Sequence, residues 1–329
     1  MTALPLTLAI SRYDHVEDLT SGRIKIQGVD LNYLDLPIHD IFHRFVNFRD
    51  FDIAEMSMAK FVSMVSQDDD TVTALPVFLS RVARHSSIYV RRDGPVKKPS
   101  DLKGRRVGVP EWAQTASVYS RGLIAHHYGV DLTSIDWVQA GQDQAGRREK
   151  VLLKLPPGLK LTVVSDKALP NMLVDGELDA ILVAQPPQLF KKGHPNIVRL
   201  FDDYFDQEQR YVRETKLLPI MHTIAVRKQV IDQHPWVAGN LMRAFEEAKD
   251  NSIERALEPG VTRFPIPWCF DYAAQAREIW GGELWPYGVE ANRATLDVFL
   301  QYAFEQGVCH RRLQVEDLFP KQLHSEYRV

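Results

Sequence analysis

His85 and His222 can each take up or release a proton near neutral pH, because imidazole is the side chain that titrates there. Arg81 and Arg84 stand just before His85, and guanidinium forks clamp carboxylates. Glu111 to Thr115 lies between a β-rich run, Arg106 to Val109, and a helical spacing of Tyr119, Leu123 and Ile124. A strand, a polar turn and a helix start in that order aim free backbone N–H groups and the helix dipole at an anion. A phosphate loop would need glycines in this turn, which instead carries Glu111 and Trp112, so the expected anion is the carboxylate of an organic acid. Gln114 and Thr115 are its candidate donors. An ordinary strand-to-helix turn is the other reading of the same residues.

Composition narrows the partners. The chain has 329 residues, enough for two lobes with a core each, and its 45% hydrophobic and 25% charged content is that of a globular protein. A net charge of −3 offers no footprint for nucleic acid or an anionic membrane surface. The longest apolar runs fall short of a membrane span. Cys269 and Cys309 are the only cysteines and lack metal-ligand spacing; with an N-terminal stretch that alternates like a strand, they lead us to expect a cytoplasmic protein.

The elements that must position these groups read as alternating strands and helices. Leu6 to Ile10 is a strand ending in Ser11, Arg12, Tyr13, Asp14 and His15, a candidate cleft rim. A strand pair is expected at Arg23 to Gln27 and Asp30 to Leu34, then a helix from Pro37. Asp52 to Ala54 reads as a brief strand, with Glu55 to Ser57 turning into the helix Met58 to Val65; Ser57 is an N-cap or a ligand donor. Strands follow at Val72 to Phe78 and Ser86 to Val90, and beyond the polar turn at Leu161 to Val164 and Ala180 to Val183, the latter ending in Gln185 at a cleft edge. Lys167 to Asp175 reads as a helix, Asp202 to Lys216 as an exposed charged segment, Pro219 to Val226 as a strand bearing His222, and the remainder as largely helical. Gly141 to Pro157 has no clear period and reads as a surface excursion or an oligomer arm. His39 and His43 have the spacing of two metal ligands, but no glutamate follows the first and no third ligand is near, so a half-buried surface pair is expected. His126 and His127 are adjacent on a helix and read as solvated. Trp280, Trp285 and Tyr287 read as packing rather than a ring-stacking platform.

The run Asp101-Leu102-Lys103-Gly104-Arg105-Arg106-Val107-Gly108-Val109 resembles the second-lobe opening of type II periplasmic-binding-protein folds. That resemblance implies an α/β architecture of two lobes joined by two hinge strands, here Ser86 to Val90 and Thr223 to Val226. Residues 1–87 and 224–329 would form the first lobe and 88–223 the second, with a helical C-terminal region. More specific are Asp52-Ile53-Ala54-Glu55-Met56-Ser57, Arg84-His85-Ser86, Gly108-Val109-Pro110-Glu111, Pro219-Ile220-Met221-His222-Thr223 and Trp285-Pro286-Tyr287-Gly288-Val289-Glu290-Ala291-Asn292. Together they resemble the 4,5-dihydroxyphthalate decarboxylase family over essentially the whole chain. Membership implies conversion of 4,5-dihydroxyphthalate to protocatechuate and CO₂ without an organic cofactor.

Such a reaction needs carboxylates held by fixed positive charge or N–H donors, a para hydroxyl that feeds electron density to the ring, and an acid that protonates the carbon losing CO₂. His85 and His222, at the two hinge strands, are the expected acids. Arg81 or Arg84 would hold a carboxylate. Arg12 and Asp14 would reach the phenolic hydroxyls, with Asp14 as base; Glu111 would serve as that base or brace its turn. Ser57, Gln114, Thr115 and Gln185 would line the substrate, an aromatic acid. No metal is expected, and a homo-oligomer is. A non-catalytic receptor or sensor for a small organic acid, or an enzyme acting on a related aromatic acid, would fit the same fold.

Overall fold

The computed structural model describes residues 2–324. In chain order its strands are β1 (Leu4–Ile10), β2 (Val29–Asp35), β3 (Ile53–Ser57), β4 (Val72–Arg81), β5 (Ile88–Arg91), β6 (Arg106–Val109), β7 (Asp136–Gly141), β8 (Lys160–Ala168), β9 (Ala180–Leu182), β10 (Ile197–Arg199) and β11 (Ile220–Arg227). They form a five-stranded sheet, β2-β1-β3-β11-β4, and a six-stranded sheet, β10-β5-β9-β6-β7-β8. The helices are α1 (Glu17–Thr20), α2 (Ile38–Phe48), α3 (Met58–Val65), α4 (Thr115–Gly122), α5 (Leu169–Val174), α6 (Gln188–Lys191), α7 (Tyr204–Thr215), α8 (Lys228–Gln233), α9 (Trp236–Ala256), α10 (Cys269–Trp280) and α11 (Arg293–Glu305). Each sheet with its helices is an α/β lobe, and the chain passes between lobes after β4 and again between α7 and β11.

Parallel neighbours β1, β2 and β3 run the same way in the first lobe, as do β6, β7, β8 and β9 in the second. Ligands of such sheets sit past the carboxyl ends of the strands. β1 leads there into Ser11, β3 into α3, and β6 into Glu111. Every residue of β3 is buried, the mark of a central strand covered on both faces. β11 pairs with β3 and β4 along its length, so its His222 is presented by the first sheet, and a lobe boundary after residue 223 falls inside one continuous strand.

Several local expectations change. Arg23 to Gln27 is not a strand; β2 pairs in parallel with β1, so no hairpin joins them, and the connection runs through α1. Asp202 to Lys216 is charged and mostly exposed as expected, and it forms α7, which buries only Tyr211 and Val212. Lys167 belongs to β8, which extends to Ala168 before α5 begins.

The two lobes share one apolar cluster, running from Leu8 and Phe61 through Trp112 and Val107 to Phe299. A second cluster around Tyr89, Leu169 and Ile181 covers the other face of the second sheet. Helix α11 joins the lobes by packing on both α3 and α4. At that contact Gly122 is required: a Cβ there would lie 2.1 Å from the Tyr302 ring. Tyr119 of α4 stacks on Phe299 of α11 with ring centroids 4.8 Å apart. Beside them Arg121, fully buried, gives Nε–H to Gln306 Oε1 at 2.8 Å and Nη2–H to the Trp112 carbonyl at 2.7 Å. Its guanidinium lies 3.6 Å from the Trp112 ring centroid.

Candidate active site between the lobes

Glu55 lies at the centre of the first half of the site. Alternation along β3 puts Glu55 and Ser57 on one face, and the register sets His222 of β11 opposite Ser57. His222 Nδ1 is 2.7 Å from Glu55 Oε1, the Tyr13 hydroxyl donates to the same oxygen at 2.5 Å, and the Ser11 N–H donates to Oε2 at 3.0 Å. A carboxylate sealed at 0% exposure requires such partners. Burial alone would raise its pKa; the bonds from His222, Tyr13 and Ser11 outweigh that and hold it below the ordinary value. An ionised Glu55 only accepts, so it fixes the His222 proton on Nδ1 and leaves Nε2 as the working nitrogen. The His222 side chain keeps 22% exposure, and the edge of Phe42 from α2 packs on its ring at 5.1 Å. Burial and the adjoining Glu55 charge push the Tyr13 hydroxyl well above the usual range, so it stays a donor.

The second half is a buried ionic group. Glu111, 1% exposed, receives Lys60 of α3 at 3.1 Å on one oxygen and Arg147 at 3.0 Å on the other. Burial would raise the Glu111 pKa, but Lys60, Arg147 and Lys150 reverse that and keep it low. Lys60 is lowered by burial, which its bond to Glu111 only partly offsets. Glu149 accepts the Ala113 N–H at 3.1 Å, and its pKa is raised by burial and by the Glu111 charge. His39 of α2 is lowered by burial and by the neighbouring Arg147, Lys150 and Lys60.

The halves meet at a pair of hydroxyls. Ser57 Oγ and Thr115 Oγ1 are 2.9 Å apart, and Thr115 Oγ1 also accepts the Ala59 N–H at 3.0 Å. Ser57 occupies the N-cap position of α3, yet its side chain caps nothing in that helix. A hydroxyl from the second lobe does that work on the first turn of α3.

The structure brings His222, Glu111, Ser57 and Thr115 of the expected residues into this region, with Gln114 alongside as the N-cap residue of α4. It places the others elsewhere. His85 is buried in a box of Tyr128, Phe201, Tyr211 and His127, with neither ring nitrogen hydrogen-bonded, and burial pushes its pKa down to about 4. Arg81 spends its donors on the Pro286 carbonyl at 2.6 Å and Asn292 Oδ1 at 2.5 Å, tying β4 to the C-terminal segment. Arg84 is buried against Ser87 and Met221. Each keeps an unpartnered Nε, but both guanidinium groups are buried in these contacts. Arg12 points outward to Asp35 at 2.6 Å, Asp14 is exposed and lines a surface hollow with Arg23 and Arg255, and Gln185 is exposed. Beyond the end of β1, Tyr13 rather than Arg12 turns inward to Glu55.

Glu111 is also recast. A carboxylate ion-paired on both oxygens and held low in pKa is a counter-ion rather than a base. The excursion at 141–157 is not a free arm, because its Arg147 and Glu149 reach the site. Sequence reasoning missed Glu55, Tyr13, Lys60 and Arg147. Ser11 to Asp14 and Glu55 to Ser57 did stand at strand ends, which is a usable signal; for Arg147, inside a stretch with no period, the sequence carries none. His43 bonds within its own helix to Asn47, apart from His39's cationic surroundings. Among the described residues, no three His, Cys, Asp or Glu side chains converge as metal ligands, and no helix is long and apolar enough to cross a membrane.

Comparison with known proteins agrees with this architecture. A family model described as NMT1/THI5 like matches residues 52–148. The aliphatic sulphonate binding protein SsuA of Escherichia coli superposes with a TM-score of 0.52 at 11% identity, covering 98% of this chain and 99% of that one. Protein AF1704 of Archaeoglobus fulgidus gives a TM-score of 0.51 at 15% identity over 92% of this chain and 98% of its own. These likenesses show a periplasmic-binding-protein type of fold. In sequence, the chain is 37% identical to a 4,5-dihydroxyphthalate decarboxylase of Comamonas testosteroni over 99% of both chains. It is 35% identical to another of Pseudomonas putida over 62% of this chain and 79% of that one. The chain therefore belongs to the 4,5-dihydroxyphthalate decarboxylase family.

Proposed function

We propose that the protein converts 4,5-dihydroxyphthalate to protocatechuate and CO₂, with His222 delivering the proton that replaces the lost carboxyl group. The observation that carries this reading is the His222 imidazole held at 2.7 Å by a sealed, ionised Glu55. Beside that imidazole lies a buried cationic corner suited to an acid substrate. With Nδ1–H committed to Glu55, a protonated His222 presents Nε2–H, and the Glu55 charge stabilises the imidazolium.

The chemistry follows from the substrate. A hydroxyl para to the departing carboxylate pushes electron density onto the carbon that bears it. Once that hydroxyl has given its proton to water, His222 Nε2 protonates the carbon and the ring becomes a dienone; the phenolate that loss of CO₂ regenerates takes a proton back from water. The C–C bond then breaks, its electron pair restores the aromatic ring, and CO₂ departs. One proton has entered and one CO₂ has left, and Nε2 regains its proton from water. Donors that grip the remaining carboxylate and the developing dienone oxygen favour the transition state. The hydroxyl of Ser57, opposite His222 in register, and that of Thr115, 2.9 Å from it, are the candidates for that oxygen.

Interlobe anchoring favours the enzyme over a receptor. A receptor opens and closes by hinge motion, whereas here α11, Arg121 and Gln306 pin the second lobe to the first beside the site. We place the protein in the cytoplasm as a homo-oligomer, in keeping with its two free cysteines and with the exposed apolar side chains of Val261, Ile266, Trp268 and Tyr272. Incubation of the purified protein with 4,5-dihydroxyphthalate in D₂O tests the reaction. The expected product is protocatechuate with deuterium at the vacated ring carbon, together with CO₂. Tight binding of the acid without turnover would replace the enzyme by a binding protein.

A further inference from the structure

Residues 142–150 form a strap without regular secondary structure between β7 and the segment leading to β8. It is fastened at both ends. The Gly146 N–H donates to the Ser165 carbonyl at 2.9 Å, and Asp143 accepts the Gln188 N–H at 2.8 Å. Beyond the strap the Lys154 N–H donates to the Gly307 carbonyl at 2.8 Å. Its start needs a glycine: a Cβ on Gly141 would lie 1.6 Å from the Gln144 carbonyl oxygen. These fastenings hold Arg147 at the mouth of the site with 24% of its side chain exposed.

Arg147 gives Nε–H and Nη2–H to a single Glu111 oxygen, at 3.2 and 3.0 Å, and its remaining nitrogen has no protein partner among the described residues. Around Glu111 the buried Lys60, the half-buried Arg147 and the exposed Lys150 stand against two carboxylates, Glu111 and Glu149, so the rim of the group carries one positive charge more than negative. A half-buried guanidinium with a free nitrogen beside that surplus charge can accept an anion. We infer that Arg147 is the specificity-determining residue of this site, holding the carboxylate that stays on the ring and so selecting 1,2-diacids over monoacids. This rests on the decarboxylase reading proposed above. A carboxylate present both before and after the reaction is held equally in both states, so Arg147 acts on substrate capture more than on the chemical step.

Calorimetric binding of phthalate and benzoate tests this without requiring turnover. The wild-type protein is expected to prefer phthalate by at least about tenfold, about 1.4 kcal/mol, since a second carboxylate adds a charge-assisted pair. Arg147→Ala removes that preference and raises KM for the dihydroxy diacid with little change in kcat. Arg148→Ala, an exposed neighbour on the same strap, leaves both unchanged. Arg147→Lys keeps the charge without the fork, so its preference falls only part of the way, and it is the decisive variant if Arg147→Ala does not fold. An undiminished preference for phthalate in either folded variant, or no preference in the wild type, overturns the assignment. Failure of the turnover assay with the Arg147-dependent preference intact would count against the decarboxylase alone.

Discussion

His222 and Glu55 are joined at 2.7 Å across neighbouring antiparallel strands, with the carboxylate fully sealed and the imidazole still reaching the cleft. This asymmetry gives them different work. Glu55 cannot meet a substrate, and His222 can. In the proposed mechanism the carboxylate fixes the tautomer of the ring.

Glu55→Gln keeps the volume and removes the charge. The amide can donate to Nδ1 and turn the imidazole to the wrong tautomer, so kcat should fall by roughly 10²–10⁴-fold, the usual worth of acid catalysis. KM should change little. A kcat within a few-fold of wild type would remove Glu55 from the mechanism.

The pH dependence of stability belongs to two other histidines. Burial lowers His15 and His85 to about 4, whereas the unfolded chain titrates them near 6.5. Between those values the unfolded chain takes up protons that the folded protein refuses, so stability is complete above 6.5 and is lost as pH falls towards 4. Glu55 and Glu111, held below 4.5, add to the loss only at lower pH. His85→Phe suits its aromatic box and removes two unpaired nitrogens. Its Tm should drop less than wild type between pH 7 and pH 5, and its turnover should persist. Thermal melts at the two pH values decide the first point, and a large loss of turnover would return His85 to the site.

Gln306→Ala tests the pin between the lobes. It strips a fully buried Arg121 of its Nε acceptor and removes the donor to the Val118 carbonyl. The expected cost is about 3 kcal/mol in urea unfolding. A cost below about 1 kcal/mol would mean that the lobes are held by apolar packing alone.

Ser57 and Thr115 can be examined as a pair. Each substitution, Ser57→Ala and Thr115→Val, removes one side of a hydroxyl contact across the lobes, so a double-mutant cycle should return a coupling of about 1 kcal/mol. Independent effects would mean that the two hydroxyls do not interact and that Thr115 acts only through the Ala59 N–H it accepts.

The architecture was largely legible in the sequence because strands buried on both faces leave runs such as Arg106 to Val109, and helices leave their period. The site was legible where it lies at strand ends: His222, Ser57, Thr115 and Glu111 all stand just past or at the end of a sheet strand. It was illegible where a side chain's direction decides. Arg12 and Tyr13 are adjacent in the turn after β1, and only the Glu55 contact shows that the tyrosine turns in. Arg81 and Arg84 carry the right chemistry, but the fold buries them against distant partners, Asn292 and Met221. Arg147 lies in a stretch whose conformation is set by fastening to other elements rather than by its own pattern.

The most direct measurement is the single-turnover rate of His222→Ala on 4,5-dihydroxyphthalate, with its fold checked by circular dichroism. A fall of roughly 10²-fold or more in an intact protein is expected of a lost proton donor. A rate equal to that of the wild type would contradict the assignment of His222 as the acid.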